Sequence, residues 1–468
     1  MTAEAAAKDR ENVTAEGGAR VGAAAPTAGK RARRRADAAT TIAWAASQAG
    51  VDLPVRVRAW DGSEAGPAGP PVAVLRSPLA LRRALWAPGE LGLARAYVSG
   101  DLDVEGDLTE GLRRAFRAAR PAQSARASGG RGPDARGRGS RAGRGPGSGA
   151  GWRPGRWADA VSAAAVAASR LGVFGPPPAP PACEIRLSGR AHSRARDQAV
   201  IAGHYDLPVS FYRLILDPAM AYSCGYWASD DPGYGLADAQ RDKLDLVADK
   251  LRLGPGVSLL DLGCGWGSLT VHAAQHRQAR VSSVTLSAEQ GGYTRERLRG
   301  LGLGNRARVR IQDYRDTAGG PYDAIASLEM GEHVGADGYP AFCASLRDLL
   351  RPGGRLLIQQ MSRGANAPGG GAFIESYVTA DMHMRPLGET VGLIEDAGLE
   401  VLGVQALRPH YVRTIRAWLG NLEENLPAVE AIIGRERARM WRLYLAGAAL
   451  AFEEGRMGVD QILAARRE

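Results

Sequence analysis

Asp261-Leu-Gly-Cys-Gly-Trp-Gly267, entered from the apolar run Val257-Ser-Leu-Leu260, decides the fold. An apolar run that ends in Asp and passes at once into glycines reads as a buried parallel strand followed by a tight turn. Residues 268–275 then read as the start of a helix. Gly263, Gly265 and Gly267 let the backbone approach a ligand more closely than any Cβ would allow. The free N–H groups of the following helix can hold a carboxylate. A glycine-rich turn alone is a weak signal, because the dinucleotide-binding fingerprint looks similar.

Outward from that turn, strand patterns at 257–262, 279–286, 307–312, 322–328, 355–360 and 399–406 alternate with helical ones at 269–275, 288–300, 339–350 and 388–397. The alternation predicts an α/β fold with a Rossmann-like doubly wound sheet, whose ligand lies at the carboxyl ends of the strands. Residues 412–452 read as almost wholly helical, interrupted near Pro427, and 459–464 as a short returning strand. Nearer the start, 39–119 reads as a small α+β accessory domain, with strands at 55–60 and 72–75 and a helix over 79–86. Residues 1–38, with Arg31-Ala-Arg-Arg-Arg35, hold too few large apolar groups to fold and are expected to be a disordered basic tail. Residues 120–187 form a Gly/Arg/Pro-rich linker with room for a short helix, ending in the hinge Gly175-Pro-Pro-Pro-Ala-Pro-Pro181. The main domain covers 188–468.

The formal net charge of +10 invites an anionic partner, nucleic acid or a membrane face, unless it only reflects an Ala/Arg/Gly-rich composition. Four cysteines with no C-x-x-C pair argue against a disulfide framework or zinc site and suit a reducing cytoplasm; no metal is expected. No apolar run is long enough to span a bilayer, and the N-terminus lacks a signal-peptide apolar region.

G-x-G-x-G with Asp261 two residues before Gly263 resembles motif I of S-adenosylmethionine-dependent methyltransferases. Val284-Thr-Leu-Ser-Ala-Glu-Gln290 follows the second strand, and Gln312-Asp-Tyr-Arg315 the third. Asp313 there is either an acceptor for the adenine amino group or a helix cap. Gly203-His-Tyr-Asp206, Phe211-Tyr212, Met220-Ala-Tyr-Ser-Cys-Gly-Tyr-Trp227 and Ser327-Leu-Glu-Met-Gly-Glu-His-Val-Gly335 complete the set. Together these motifs resemble the cyclopropane-fatty-acyl-phospholipid synthase family, which includes mycolic-acid cyclopropane synthases and fatty-acid methyltransferases. The resemblance runs from 204 to 462 and extends to Leu91-Gly-Leu-Ala-Arg-Ala-Tyr-Val-Ser-Gly-Asp-Leu102 in the accessory domain.

The resemblance implies methyl transfer from S-adenosylmethionine to the cis double bond of an unsaturated phospholipid acyl chain. It implies a cofactor pocket of Tyr222, Ser223, Asp261, Gly263, Gly265, Gly267, Thr285, Leu286, Gln290 and Asp313. Family members hold a bicarbonate base between a Cys, a Glu, a His and a Tyr. Cys224, Glu332 and Tyr411 match three of these, whereas Gln359 stands in the His place. Gln can donate a hydrogen bond but cannot titrate, so bicarbonate is expected to be held more weakly or to be absent. His383 is a candidate to compensate, with a surface or capping role as its alternative.

Early loss of a proton from the new methyl closes a cyclopropane ring, whereas a prior hydride shift leads to a methylene branch. The Gln359 and Met361 substitutions, together with Asp381-Met-His-Met-Arg-Pro386, favour the branch, whose product a separate reductase would consume. The expected setting is the cytoplasmic face of an anionic membrane, with a homodimer as an option. Trp418, Trp441, Tyr444 and Phe452 are expected to be mostly core, although such helices wall an acyl tunnel in this family. Against a nucleic-acid methyltransferase, the loop after the fourth strand lacks the proline pair that grips a target amine. Against an inactive cofactor binder stand Cys224, Glu332 and Tyr411.

Overall fold

A computed structural model describes residues 37–119, 154–186, 188–205, 207–364 and 369–468. The expected basic tail, apart from Asp37 and Ala38, lies outside the described residues. So do the linker stretch 120–153, Asp206, and the side chains of Gly203, His204 and Tyr205. Ala38 is buried and opens a helix, Ala38–Gln48, and the linker contains the helix Pro154–Leu171.

The small sheet comprises β1 (Arg56–Arg58), β2 (Glu64–Ala65), β3 (Val72–Leu75) and β4 (Leu102–Glu105), in the order β2-β1-β3-β4. The large sheet comprises β5 (Ser258–Leu262), β6 (Arg280–Thr285), β7 (Ala307–Ile311), β8 (Tyr322–Leu328), β9 (Leu350–Ser362), β10 (Leu399–Ala406) and β11 (Gly458–Arg466). Its order is β10-β11-β9-β8-β5-β6-β7. β5 pairs in parallel with both β6 and β8, whereas β11 runs antiparallel between β9 and β10. Strand order therefore reverses at β5, and the crevice beyond its carboxyl end is where an open sheet of this kind takes a ligand.

Alternation along β5 explains why both faces of the sheet are covered. Leu259 joins Val281, Val309 and Leu357 on one face, while Leu260 and Leu262 join Val284, Ile325 and Ile358 on the other. Leu259 and Leu260 are fully buried, each contributing about 1.5–3 kcal/mol of transfer free energy. A further core gathers around the C-terminal helices Arg408–Glu424, Leu426–Ile433 and Arg435–Glu453. Pro427, in the first turn of the middle helix, accounts for the interruption. Trp418, Trp441 and Phe452 are core residues as expected, and Tyr444 is half-buried.

The small sheet is fastened to this helical layer through Arg439, which is nearly buried. Its Nε donates to the Tyr97 carbonyl at 2.6 Å and one terminal nitrogen to the Leu102 carbonyl at 2.8 Å. The guanidinium also lies 4.2 Å from the Tyr97 ring centroid. Arg95, paired with Glu184 at 2.5 Å, makes a second fastening, since Glu184 also accepts from the Tyr377 hydroxyl. Arg439→Met keeps the bulk but removes the Leu102 carbonyl's donor and one of two at the Tyr97 carbonyl, which still accepts the Gly100 N–H at 3.0 Å. It is expected to cost about 2–4 kcal/mol, read as a lowered urea midpoint with new proteolytic cleavage in residues 97–105.

Candidate active site

Tyr222, Ser223, Asp261, Gly263, Gly265, Thr285, Leu286 and Gln290 line one cavity, which opens at the carboxyl ends of β5, β6 and β8. Gly263 donates its N–H to the Val284 carbonyl at 2.9 Å and has φ +81°. This ties the turn to β6. At Gly265 an added Cβ would meet only Gln290 Nε2, at 4.0 Å, so the wall is open toward the cavity there. Gly267 does not line the cavity. It caps the helix Ser268–His276 with φ +77°, and a Cβ would fall 2.3 Å from Thr294 Cγ2. The Asp261 carboxyl is pushed up to about 6 by burial and accepts from the Thr270 hydroxyl at 2.6 Å. Thr285 Oγ1 donates to Gln290 Oε1 at 3.0 Å, which fixes the far wall.

Asp313 takes the capping alternative. Its carboxylate accepts the Arg315 backbone N–H at 2.9 Å and the Arg315 guanidinium at 2.5 Å, and it is Gln312, Tyr314 and Arg315 that face the cavity. Arg315 also reaches Asp197, at 2.8 Å, on the helix Arg194–Tyr205. These walls suit S-adenosylmethionine: an open glycine floor, the free end of a helix, and polar groups from Ser223 to Gln290.

The acidic centre differs from the arrangement expected from the sequence. It is Glu329, not Glu332, that meets the other predicted groups. The Cys224 backbone N–H donates to Glu329 Oε1 at 2.7 Å, the Gln359 side-chain amide to the same oxygen at 2.8 Å, and the Tyr411 hydroxyl to Oε2 at 2.5 Å. The Cys224 contribution is thus its amide, while its thiol is fully buried and burial raises its pKa further. Glu329 is the first residue beyond β8 and has φ +53°, a left-handed conformation uncommon for a side-chain-bearing residue. Its carboxyl faces the cavity, and burial raises its pKa above the usual carboxylate range. The three donors and the Lys243 charge oppose that rise.

Glu332 is buried beside this group but turned away, with Oε1 accepting the Met361 N–H at 2.5 Å. Burial, and secondarily the charge of Glu329, pushes it up to about 8, which favours its protonated form near neutral pH. Lys243, fully buried on the helix Leu236–Lys250, donates to Ser223 Oγ at 2.8 Å; burial lowers its pKa, and the charge of Glu329 opposes that fall. His383 does not compensate for the missing His. Its backbone N–H meets the Glu332 carbonyl, and the charges its imidazole senses are those of Arg385, Glu389, His192 and Asp337. His333 lines the cavity, and burial, reinforced by His192, pushes it down to about 4, which keeps it neutral. Sequence reading passed over Glu329, although its position just past the carboxyl end of a central strand was the available signal.

The model for "Mycolic acid cyclopropane synthetase" matches residues 192–462. The chain belongs to this family. A protein of Mycobacterium tuberculosis named a probable fatty acid methyltransferase is 34% identical, over 88% of this chain and 91% of its own. A Pseudomonas putida protein of the same name is also 34% identical, over 88% and 92%. The solved structure of the mycolic acid cyclopropane synthase CmaA1, complexed with S-adenosylhomocysteine and CTAB, matches with a TM-score of 0.54 and 30% identity. That match covers 57% of this chain and 98% of the other. This chain is accordingly an S-adenosylmethionine-dependent methyltransferase of a lipid-modifying family, with the expected Rossmann-like fold.

Two glycine substitutions separate the role of the loop from general tolerance. Gly267→Ala must adopt a positive φ and displace Thr294, so it is expected to cost about 1–3 kcal/mol and to weaken S-adenosylmethionine binding at least tenfold in calorimetry. Gly292→Ala, on an exposed helical position with nothing within 4 Å of the new Cβ, is expected to stabilise by about 0.5–1 kcal/mol and leave binding unchanged.

Proposed function

We propose that the chain methylates the cis double bond of an unsaturated phospholipid acyl chain and that Glu329 is the base that ends the reaction. The observation that carries this reading is the convergence of Cys224 N–H, Tyr411 O–H and the Gln359 amide on one carboxylate. In the family, the groups at these places hold a diffusible bicarbonate. Here a tethered side chain meets the same donors, so the reading requires no added bicarbonate.

Bound S-adenosylmethionine supplies an electrophilic methyl group on a sulfonium. One alkene carbon takes the methyl, which leaves a cation on its neighbour. An anionic Glu329 at the cavity wall stabilises that charge. Two outcomes follow from when the proton leaves. Loss of a proton from the new methyl, with closure onto the cation, gives a cyclopropane. A hydride shift from the methyl-bearing carbon moves the cation there first, and proton loss from the methyl then gives an exocyclic methylene. In both, Glu329 accepts the proton.

Gln359, in the place of the family's titrating His, supports the later deprotonation and therefore the methylene branch. The relatives named as fatty acid methyltransferases support a fatty acyl substrate. The net charge of +10 supports working at an anionic membrane face in the cytoplasm. A class of enzyme that reduces the exocyclic alkene would consume the product.

Cells expressing the chain and fed oleate are expected to accumulate a fatty acid one CH2 heavier that reacts in double-bond derivatisation, read by gas chromatography–mass spectrometry. An unreactive product would assign the ring instead, and no product at all would remove the lipid reading. Glu329→Gln is expected to lower turnover by about 10²–10⁴ while S-adenosylmethionine still binds. Depleting bicarbonate should leave the wild-type rate unchanged. Because the base must be anionic and its pKa lies above the usual carboxylate range, the rate is expected to fall as pH drops through that raised value.

A further inference from the structure

Gln359 is useful to Glu329 only when its amide points the right way. A Gln side chain can turn over with little change in shape, presenting Oε1 in place of Nε2. What selects the orientation lies farther along the sheet. Gln405 on β10, Gln461 on β11 and Gln359 on β9 are successive cross-strand partners, and the row ends at Glu329, just past β8. Lys250, the last residue of the helix Leu236–Lys250, donates to Gln461 Oε1 at 2.6 Å and to Gln405 Oε1 at 2.5 Å. Gln461 Nε2 donates to Gln359 Oε1 at 2.9 Å, and Gln359 Nε2 donates to Glu329 Oε1 at 2.8 Å. Gln359 and Gln461 are buried.

We propose that Lys250 is a positioning residue that fixes the direction of this amide chain and so holds Glu329 in its base form. The proposal rests on the reading of Glu329 as the base. An ammonium has three donors and no acceptor, so every amide downstream is forced to accept on the Lys250 side and donate toward Glu329. A carboxylate satisfies the last donor. The alternative chain, with both amides turned over, would offer Gln359 Oε1 to Glu329 and would need a protonated carboxyl there. It would also face Gln461 Nε2 against the ammonium, donor against donor. Lys250 excludes that state, and the proton that would accompany it.

The charged and titratable groups around the two ends are few. Glu329 faces Cys224, Tyr411, Lys243, Glu332 and Tyr444. Lys250 meets the uncharged Gln405 and Gln461, and its carbonyl accepts from Arg355. Burial alone pushes Lys250 down to about 8, so it remains largely charged at neutral pH. Lys250 is absent from the cavity lining, so its effect on turnover is separable from cofactor binding.

The test is the pH profile of turnover for wild type, Lys250→Met, Lys250→Arg and Lys250→Glu, each checked for folding by circular dichroism. Lys250→Met is expected to move the acid limb up by about one pH unit, with roughly tenfold loss below the limb, recovery at higher pH and an unchanged KM for S-adenosylmethionine. Lys250→Arg, also a pure donor, should restore the wild-type limb. Lys250→Glu, an acceptor, should shift it further than Met. A folded Lys250→Met whose limb overlays that of wild type would overturn the proposal. A second readout needs no turnover: infrared titration of the protonated-carboxyl band that Glu329→Gln removes. That band should titrate at higher pH in Lys250→Met or, if Met does not fold, in Lys250→Gln, and equal titration to wild type overturns the proposal. If wild type transfers no methyl to lipid while the infrared shift appears, the functional reading fails and the orienting chain stands.

Discussion

A carboxylate has to be held, with its charge supported, at the wall of a largely enclosed cofactor cavity, and the geometry around Glu329 is the solution to that constraint. Burial alone would neutralise the group. Four separate elements oppose this: the 220–227 strip through Cys224, the helix Arg408–Glu424 through Tyr411, β9 through Gln359, and the helix Leu236–Lys250 through Lys243. The left-handed backbone at Glu329 is the local cost, about 1–3 kcal/mol. The Glu329 N–H, donated to the Gln359 carbonyl at 2.6 Å, ties that strained residue to the neighbouring strand.

Two of these donors belong to one rigid assembly. The helix that carries Tyr411 also accepts the Gly225 N–H on Thr414 Oγ1 at 3.1 Å, and the Trp227 N–H on His410 Nδ1 at 3.0 Å. The Cys224 amide is therefore positioned by the same helix that positions the Tyr411 hydroxyl. Gln240 holds the strip from behind, donating to the Ser223 carbonyl at 2.8 Å, one turn before Lys243 reaches the Ser223 hydroxyl. A small shift of either helix would move several donors together. Such coupling favours preorganisation over independent adjustment.

The sheet was legible because its signals are local. β8 and β10 begin and end where the alternation predicts, and the helix Ala288–Gly300 follows a Ser287 cap whose side chain accepts the Gln290 N–H. β2 and β4 escaped notice, one being only two residues long and the other alternating Asp and Glu with apolar residues. β9 begins earlier than expected, because Arg351-Pro-Gly-Gly354 reads as a turn but continues the strand. The cofactor loop was legible for the same local reason as the sheet. The base was not. Glu329 and Glu332 lie on one loop beyond β8, and the place of Glu329 directly after the strand does not by itself say which turns toward Cys224. That choice depends on the Met361 N–H capturing Glu332 and on the left-handed φ at Glu329, both products of the assembled fold.

The departure at Gln359 then acquires a physical reason. A histidine opposite a fixed carboxylate would tend to take up a proton. An adjacent imidazolium lowers a carboxylate pKa by about 1–3 units, which would leave a poor base. Glutamine supplies the hydrogen bond without the charge. It keeps Glu329 in place and, in the proposed reaction, leaves it basic enough to accept a proton from a carbocation. A diffusible anion can exchange after it is protonated, but a tethered carboxylate has to release its proton in place. A neutral, non-titrating neighbour suits that cycle. Glu329 and Gln359 are thus a matched pair, in which the tethered base makes a charged neighbour unfavourable and the neutral neighbour lets the tethered group act as a base.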